Sequence, residues 1–242
     1  MRTATTSKHR ELHRNLLREL GHKLEPGARI LDYGCGSGDM VDEYCAAGYD
    51  AFGCDLRLEG ESERLRPSNS SDGSIPFPDS SFDFVYSDQV MEHVRDHRQA
   101  FAEIKRVMKP GAISLHIFPA KLKLIENHVF IPFGGVIQSR WWLRWWAWLG
   151  IRNSFQQGKS AREVVELNSE YLTKRTNYLS RAEILKVISP HFEAPVFAEK
   201  YMLKHSYGSA RRIYPLARAL PFIANLYSSF YSRVVFFQKA AS

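Results

Sequence analysis

The 242-residue chain has few cysteines, no long apolar run, and no aspartate at all in residues 119–242. Each shortage excludes something. Cys35, Cys45 and Cys54 are odd in number and crowd into one short stretch. A disulfide framework is therefore not expected, and buried reduced thiols are. No stretch approaches the ~18 consecutive apolar residues that span a bilayer. The opening MRTATTSKHRELHRNLLREL is basic but lacks the apolar core of a signal peptide, so a cytoplasmic location is expected. No Cys/His pattern has metal-ligand spacing, so chemistry without a metal is expected. Internal repeats and long low-complexity runs are also missing. The length suits one α/β domain with an elaboration, and 24% charged residues argue against global disorder.

The missing aspartates leave the charge lopsided. Residues 1–118 hold 15 Lys and Arg against 19 Asp and Glu, whereas residues 119–242 hold 18 against 7. A basic second half suits an anionic partner such as a phosphate-bearing substrate, a membrane surface or a nucleic acid. It can equally be a solvated surface and nothing more. Nucleic acid is the least favoured partner, because there is neither an Asn/Asp-Pro-Pro-Tyr/Phe base-modifying motif nor an added RNA-binding module.

What is present reads as strands alternating with helices. Leu12, Leu16, Leu17, Leu20 and Leu24 have near-helical spacing in an amphipathic leading helix. Ala28–Tyr33 predicts a strand, 38–48 a helix stopped by Gly48, and Asp50–Asp55 a second strand. Arg66–Gly73 reads as a polar loop. Phe82–Ser87 alternates as a strand should, 97–108 is helical and closed by Lys109-Pro110-Gly111, and Ala112–Phe118 is the next strand. Ser180 caps a helix over 181–189, Val196–Leu203 predicts a strand, 209–231 is helical with a break at Pro221, and Arg233–Gln238 is a last strand. The fold class is α/β: a doubly wound and mostly parallel sheet, with ligands at the C-terminal strand edge.

The densest chemistry lies in Ile30-Leu31-Asp32-Tyr33-Gly34-Cys35-Gly36-Ser37-Gly38. Glycines after a strand let the backbone turn tightly and approach a ligand. The spacing is G-x-G-x-G with Asp39 where a dinucleotide site would place a third glycine. Asp32 and Asp39 flank the turn, which disfavours a diphosphate and suits a cationic ligand. Asp55 ends the second strand 23 residues after Asp32, where an acidic residue can bind ribose hydroxyls. Ile75–Asp83 and Ser87–Val94 follow.

These segments together resemble the class I methyltransferases of the broad methyltransferase type 11 family. The matching marks are an LDxGCGxG-like turn, an acidic end to strand two, a PFPDxSFD stretch, an EHV helix start and a KPGG-like turn, here Lys109-Pro110-Gly111-Ala112. They cover about residues 28–118. The resemblance implies a Rossmann-like, seven-stranded sheet and S-adenosylmethionine as cofactor. The turn through Tyr33, Gly34, Cys35 and Gly36 would contact its methionyl part, and Asp32 would sit near its ammonium. Asp55 would accept from the ribose hydroxyls, with Leu56 beside the adenine. An acidic residue meeting the adenine amine is best matched by Asp72, with Ser71 and Gly73 as alternatives. Ser87 and Gln89 would face the cofactor or its methyl group.

In-line methyl transfer needs alignment above all, and an oxygen acceptor gains from a general base. Histidine is suited to that near neutral pH. His128, in Glu126–Phe133, is the preferred candidate, because that segment should cover the acceptor. His93 either supports the site or transfers the proton. His116 reads as core, and His205 follows the strand expected over Val196–Leu203.

Domain organisation is read as one unit: a cofactor-binding half over 1–118, an insertion over 119–179 that forms the acceptor pocket or lid, and a C-terminal half over 180–242 with a helical insertion at 206–231. All five tryptophans fall in 141–148. On a helix, Trp141, Trp145 and Trp148 share a face, and Arg140 and Arg144 are expected on the other. This segment reads as a packed lid, a membrane-interface helix, or a sugar-stacking or dimer surface. The second half loosely resembles methyltransferases found with bacterial surface-polysaccharide and glycolipid enzymes. That resemblance implies a saccharide or lipid-linked saccharide acceptor, with an anionic membrane surface as a further partner and a peripheral location. The competing readings are methylation of another small molecule such as a quinone or polyketide, methylation of RNA, and a non-catalytic cofactor-binding scaffold.

Overall fold

The computed structural model describes residues 2–58, 62–68, 73–206 and 209–241. Its strands are β1 (Arg29–Tyr33), β2 (Asp50–Asp55), β3 (Leu65–Pro67), β4 (Phe82–Asp88), β5 (Met108–Pro119), β6 (Val196–Phe197) and β7 (Ser232–Gln238). They form one sheet in the order β3-β2-β1-β4-β5-β7-β6. β1 to β5 run parallel, and β7 is antiparallel to both β5 and β6. The order reverses direction after β1, so β1 and β4 diverge at their C-terminal ends and open a crevice there.

Helices cover both faces. α1 (Arg2–Glu19) and α2 (Asp39–Ala46) lie on one side, where Leu12, Leu16, Leu17, Val41 and Tyr44 pack on Ile30, Phe84 and Tyr86. α3 (His97–Val107) and α6 (Arg181–Ile188) lie on the other, burying Phe101, Ile104, Ile184 and Ile188 against Leu31, Val85 and Phe237. Each such side chain contributes about 1.5–3 kcal/mol by leaving water, which fixes the sheet as a rigid base for the crevice. The three cysteines are unpaired thiols.

The structure corrects four local expectations. Arg66 and Pro67 belong to a short edge strand, paired with Cys54 and Asp55, instead of opening a loop. Proline is tolerated there because an edge strand leaves N–H positions unpaired. Met108–Gly111 is not a turn before β5 but part of it, across a register shift opposite Phe82 and Phe84. The expected strand over Val196–Leu203 ends at Phe197, and α7 (Glu199–His205) follows. Buried Glu199 and Leu203 lie four residues apart, a helical spacing, so burial on one face overrides the β-branched start.

The fourth correction concerns the tryptophans. Between β5 and α6 lie α4 (Arg140–Trp148) and α5 (Ala161–Arg175), joined by their own small core of Val129, Ile131, Leu143, Ala147, Val164, Val165 and Leu172. Leu143 and Ala147 are the buried side of α4, flanked by half-buried Trp142 and Trp146. Arg140 and Arg144 are not opposite Trp141, Trp145 and Trp148 but among them, and all five line one open groove with Arg162. At 100° per residue these five positions fill one contiguous arc, leaving 143 and 147 to face inward. α8 (Tyr214–Ala219) and α9 (Pro221–Phe230) precede β7, with the break at Pro221 as expected.

Candidate active site

The glycine turn sits at the mouth of the crevice. Gly34 (φ +87°) and Cys35 both donate their N–H to the Cys54 carbonyl, at 2.7 and 3.2 Å. A Cβ on Gly34 would stand 2.3 Å from Val90 Cγ2, so only glycine lets this turn pass under the β4 loop. The Gly36 N–H donates to Asp55 Oδ2 at 2.9 Å, and the Arg57 N–H donates to Asp55 Oδ1 at 2.9 Å. Asp55 is thereby fixed at the end of β2 beside Leu56, whose side chain is 60% exposed and offers an apolar face.

Three carboxylates influence one another at this mouth. Asp32 is 5% exposed. Burial pushes its pKa up to about 7, and the negative charges of Asp88 and Asp55 add to this, while a hydrogen bond with Tyr86 opposes it. Burial likewise raises Asp88, with His9 of α1, 3.7 Å away, pulling the other way. Such a set is costly by itself and is relieved by a bound cation. S-adenosylmethionine, with its ammonium and sulfonium, fits these acids. The apolar Leu56 beside Asp55 fits its adenosine. These residues would hold it.

Other predicted residues turn away from the crevice. The side chains of Tyr33 and Cys35 pack into the two cores, and burial pushes both groups well up. Only their backbone remains for a ligand. Ser87, expected to face the cofactor, is turned into the sheet interior. It is wholly buried, and its Oγ lies 2.7 Å from His116 Nδ1. His116 Nε2 is 2.8 Å from Ser114 Oγ, which donates to the Val85 carbonyl. That chain is satisfied by a neutral His116, and burial lowers its pKa to about 3. His205 pairs with Glu19 and joins α7 to α1. Asp72, like Ser71, lies outside the described residues. Gly73 (φ +70°) has open space around its Cα.

Just beyond β4, Gln89 takes a left-handed backbone conformation (φ +57°) and its N–H donates to the Ile117 carbonyl. Asn127 Nδ2 approaches Gln89 Oε1 at 3.4 Å, which brings the 126–128 segment to the same edge. Glu126 is buried and receives four donors. They are the backbone N–H groups of His128 and Val129 at 2.7 Å each, the Tyr178 hydroxyl at 2.6 Å, and His128 Nδ1 at 2.8 Å. Burial alone would raise this carboxyl, but those hydrogen bonds outweigh it and hold it below the usual range. Gly134 makes the arrangement possible, since a Cβ there would lie 2.9 Å from Glu126 Cβ. With Nδ1–H given to Glu126, His128 Nε2 keeps a free lone pair.

His93 stands opposite, its ring 4.9 Å from that of His128. Its Nδ1 donates to the Arg175 carbonyl at 2.8 Å. Buried Glu92 lies beside them, with its pKa raised to about 7 by burial. Half-buried Lys123 is near enough to feel the charges of Glu126 and Glu92, and the Tyr171 ring is 5.1 Å from His128. Asn177 ties the wall together. Its N–H donates to the Glu92 carbonyl at 2.7 Å, and its Nδ2 donates to the carbonyls of Val94 and Arg95.

The structure thus gathers Asp32, Gly34, Gly36, Asp55, Leu56 and Gln89 at one mouth, and His93 and His128 on its outer wall. Sequence reasoning missed Asp88, Glu92, Glu126 and Tyr178. For Glu126 a signal existed: a carboxylate two residues before a candidate base can orient it. For Tyr178, 52 residues away in sequence, there was none.

Residues 6–171 match the family model described as "Methyltransferase domain". Among curated proteins, the chain is 32% identical over 113 residues to an O-methyltransferase of Aspergillus nomiae, covering 40% of this chain and 50% of that one. It is 35% identical over 92 residues to a demethylmenaquinone methyltransferase of Renibacterium salmoninarum, covering 36% and 39%. It is also 32% identical over 103 residues to a sterol 24-C-methyltransferase of Gibberella zeae, covering 37% and 27%. The chain thus matches between about a quarter and a half of the length of these relatives. The S-adenosylmethionine-dependent methyltransferase of Mesorhizobium loti shares its fold, with a TM-score of 0.52 at 14% identity over 92% of this chain and 95% of that one. A phosphoethanolamine N-methyltransferase of Haemonchus contortus, solved with S-adenosylmethionine, has a TM-score of 0.52 at 15% identity, covering 95% and 53%. The sheet order, the glycine turn below three acids and the match over 6–171 agree: this chain belongs to the class I S-adenosylmethionine-dependent methyltransferases.

Proposed function

We propose that the protein methylates a hydroxyl of a saccharide or lipid-linked saccharide, with His128 taking the hydroxyl proton. The curated relatives act on acceptors as different as a sterol and demethylmenaquinone by their names, so the acceptor must be argued from the site. The observation that carries this reading is the Glu126–His128 pair at the cofactor edge. Its surroundings, Gln89, Asn127, His93 and Lys123, are hydrogen-bonding groups, suited to a hydroxyl-rich acceptor better than to an isoprenoid or polyketide.

When bound, the cofactor supplies an electrophilic methyl on a sulfonium. The chain's own part is positioning and proton removal. Asp32 and Asp55 hold the charged and ribose ends, and the Gly34 turn brings the backbone close. His128 Nε2 accepts the acceptor's proton, and Glu126 keeps the imidazole in the tautomer that can do so and steadies the imidazolium that forms. A base so placed is worth roughly 10²–10⁴-fold.

The exposed arc of α4 supports the lipid-linked form of the acceptor. Trp141 and Trp148 are 68% and 70% exposed, and they share a groove of about 950 Å³ with Arg140, Arg144 and Arg162. Tryptophan beside arginine suits the headgroup depth of an anionic bilayer. Among the described residues no helix is long and apolar enough to cross a membrane, so contact would be from one side.

A product screen over glycans, glycolipids, quinones and RNA with labelled cofactor tests the reading. Labelled glycan or glycolipid that disappears in His128→Ala, with cofactor affinity kept, is the expected result. Transfer to quinone or RNA alone would sink the acceptor class. Cofactor binding without product on any class would favour a scaffold.

A further inference from the structure

Glu92 poses a problem that methyl transfer does not solve. Its side chain is 1% exposed and, among the described residues, neither carboxylate oxygen hydrogen-bonds to another side chain or backbone. A buried carboxylate left this way is costly and calls for a partner. The groups that face it are two imidazole nitrogens. His93 Nε2 is 3.9 Å from Glu92 Oε1. One ligand atom from each of Glu92, His93 and His128 lies within 4.8 Å of the others.

Both histidines are set as ligands. His93 gives its Nδ1 proton to the Arg175 carbonyl and His128 gives its own to Glu126, so each Nε2 has an unshared pair. A histidine tied through its second nitrogen to a carbonyl or carboxylate is the usual arrangement around a bound metal. Ligands at bonds of about 2.1 Å stand roughly 3.0–3.4 Å apart, so modest side-chain rotations close the set. Two neutral imidazoles and one carboxylate favour a transition ion over magnesium or calcium.

We infer that Glu92, His93 and His128 form a binding site for a divalent transition-metal ion of the zinc class, and that the ion holds the acceptor site off. The second half rests on the reading of His128 as base, because its single Nε2 lone pair takes either a proton or the metal. The first half rests on geometry alone. The cluster was invisible in the sequence because its ligands come from two loops, a 3-10 turn at Met91–His93 and the segment after β5.

The test uses tag-free full-length protein stripped with chelator. It is titrated with Zn²⁺ by calorimetry and with Co²⁺ by visible absorption. One equivalent should bind, with affinity weakened about tenfold or more in Glu92→Gln and in His93→Ala. Unchanged cofactor affinity in those variants shows that they are folded. Absence of binding, or binding indifferent to both substitutions, overturns the site. In the native protein, turnover should fall along the same Zn²⁺ isotherm. Zn²⁺ that binds at Glu92 and His93 while turnover stays intact supports the site and removes His128 as the base.

Discussion

Cofactor affinity should depend steeply on pH through one buried acid. Burial and the neighbouring charges of Asp88 and Asp55 push Asp32 up to about 7 from an ordinary value of 3.8. A cationic cofactor binds the ionised form, so binding below that pH must also release the proton. At pH 6 about a tenth of the Asp32 carboxyls are ionised and at pH 7.5 about three quarters, so Kd should rise about eightfold on going from 7.5 to 6. Calorimetry in two buffers of different ionisation enthalpy measures both the Kd and the proton count. Asp32→Asn should bind weakly and lose this slope, leaving only what the cofactor's own amine contributes. The sign for stability is the reverse. An acid raised on folding stabilises the folded protein less as pH climbs from about 4 to 7, because the unfolded chain ionises first. Free Asp32→Asn should therefore melt higher than the native protein at pH 8. A Kd that is flat between pH 6 and 7.5, or a slope that survives in Asp32→Asn, would refute the assignment of Asp32 as the cation's partner.

The other expectations are local. Glu126→Gln keeps the shape but removes the charge that steadies a protonated His128, so turnover should fall roughly 10²-fold or more with cofactor Kd unchanged; full activity would show that the pair is not the base. Gly34→Ala places a methyl 2.3 Å from Val90 Cγ2 at φ +87°, so cofactor binding should be lost and the melting temperature should drop, with Val90→Ala in the same chain recovering part of it. Flotation with anionic vesicles should carry the native protein but not one with Trp141, Trp148, Arg140 and Arg144 changed to alanine; no flotation of the native protein would remove the membrane contact.

The cofactor half was readable because its information is local. The alternation of strand and helix and the glycine turn at 34–38 lie within short windows, and the acid at 55 ends the very next strand. Backbone geometry and a single carboxylate then suffice to place them. Where the reading failed, long-range packing decided. Ser87 sits in the right motif, yet the buried polar His116 on β5 claims its hydroxyl. The Val196–Leu203 segment has strand-like residues, yet burial of Glu199 and Leu203 on one side makes it a helix after two residues. Arg140 and Arg144 were put opposite the tryptophans by charge, but apolar Leu143 and Ala147 are the pair that packs on α5, so the arginines share the outer arc. The wall around His93 and His128 was the least legible part, because it joins residues 92–93, 126–128 and 175–178, whose meeting no periodicity announces.

The Glu126 cage ties two distant stretches of the chain together. Its donors come from the two ends of one excursion of the chain, residues 128–129 on the way out and Tyr178 on the way back. The His128 imidazole is thus pinned where a second small core, which takes in the neighbouring Val129, begins. Mutation can reshape the outer arc of α4, where Trp141, Trp145 and Trp148 are exposed, but Asn153, which donates to the His128 carbonyl at 3.0 Å, and Tyr171, 5.1 Å from the His128 ring, tie the rest of the module to that imidazole. Variation of the exposed surface and preservation of the imidazole's setting thus fall to different stretches of the same insertion, which makes the outer arc of 140–148, and not Asn153 or Tyr171, the place to vary.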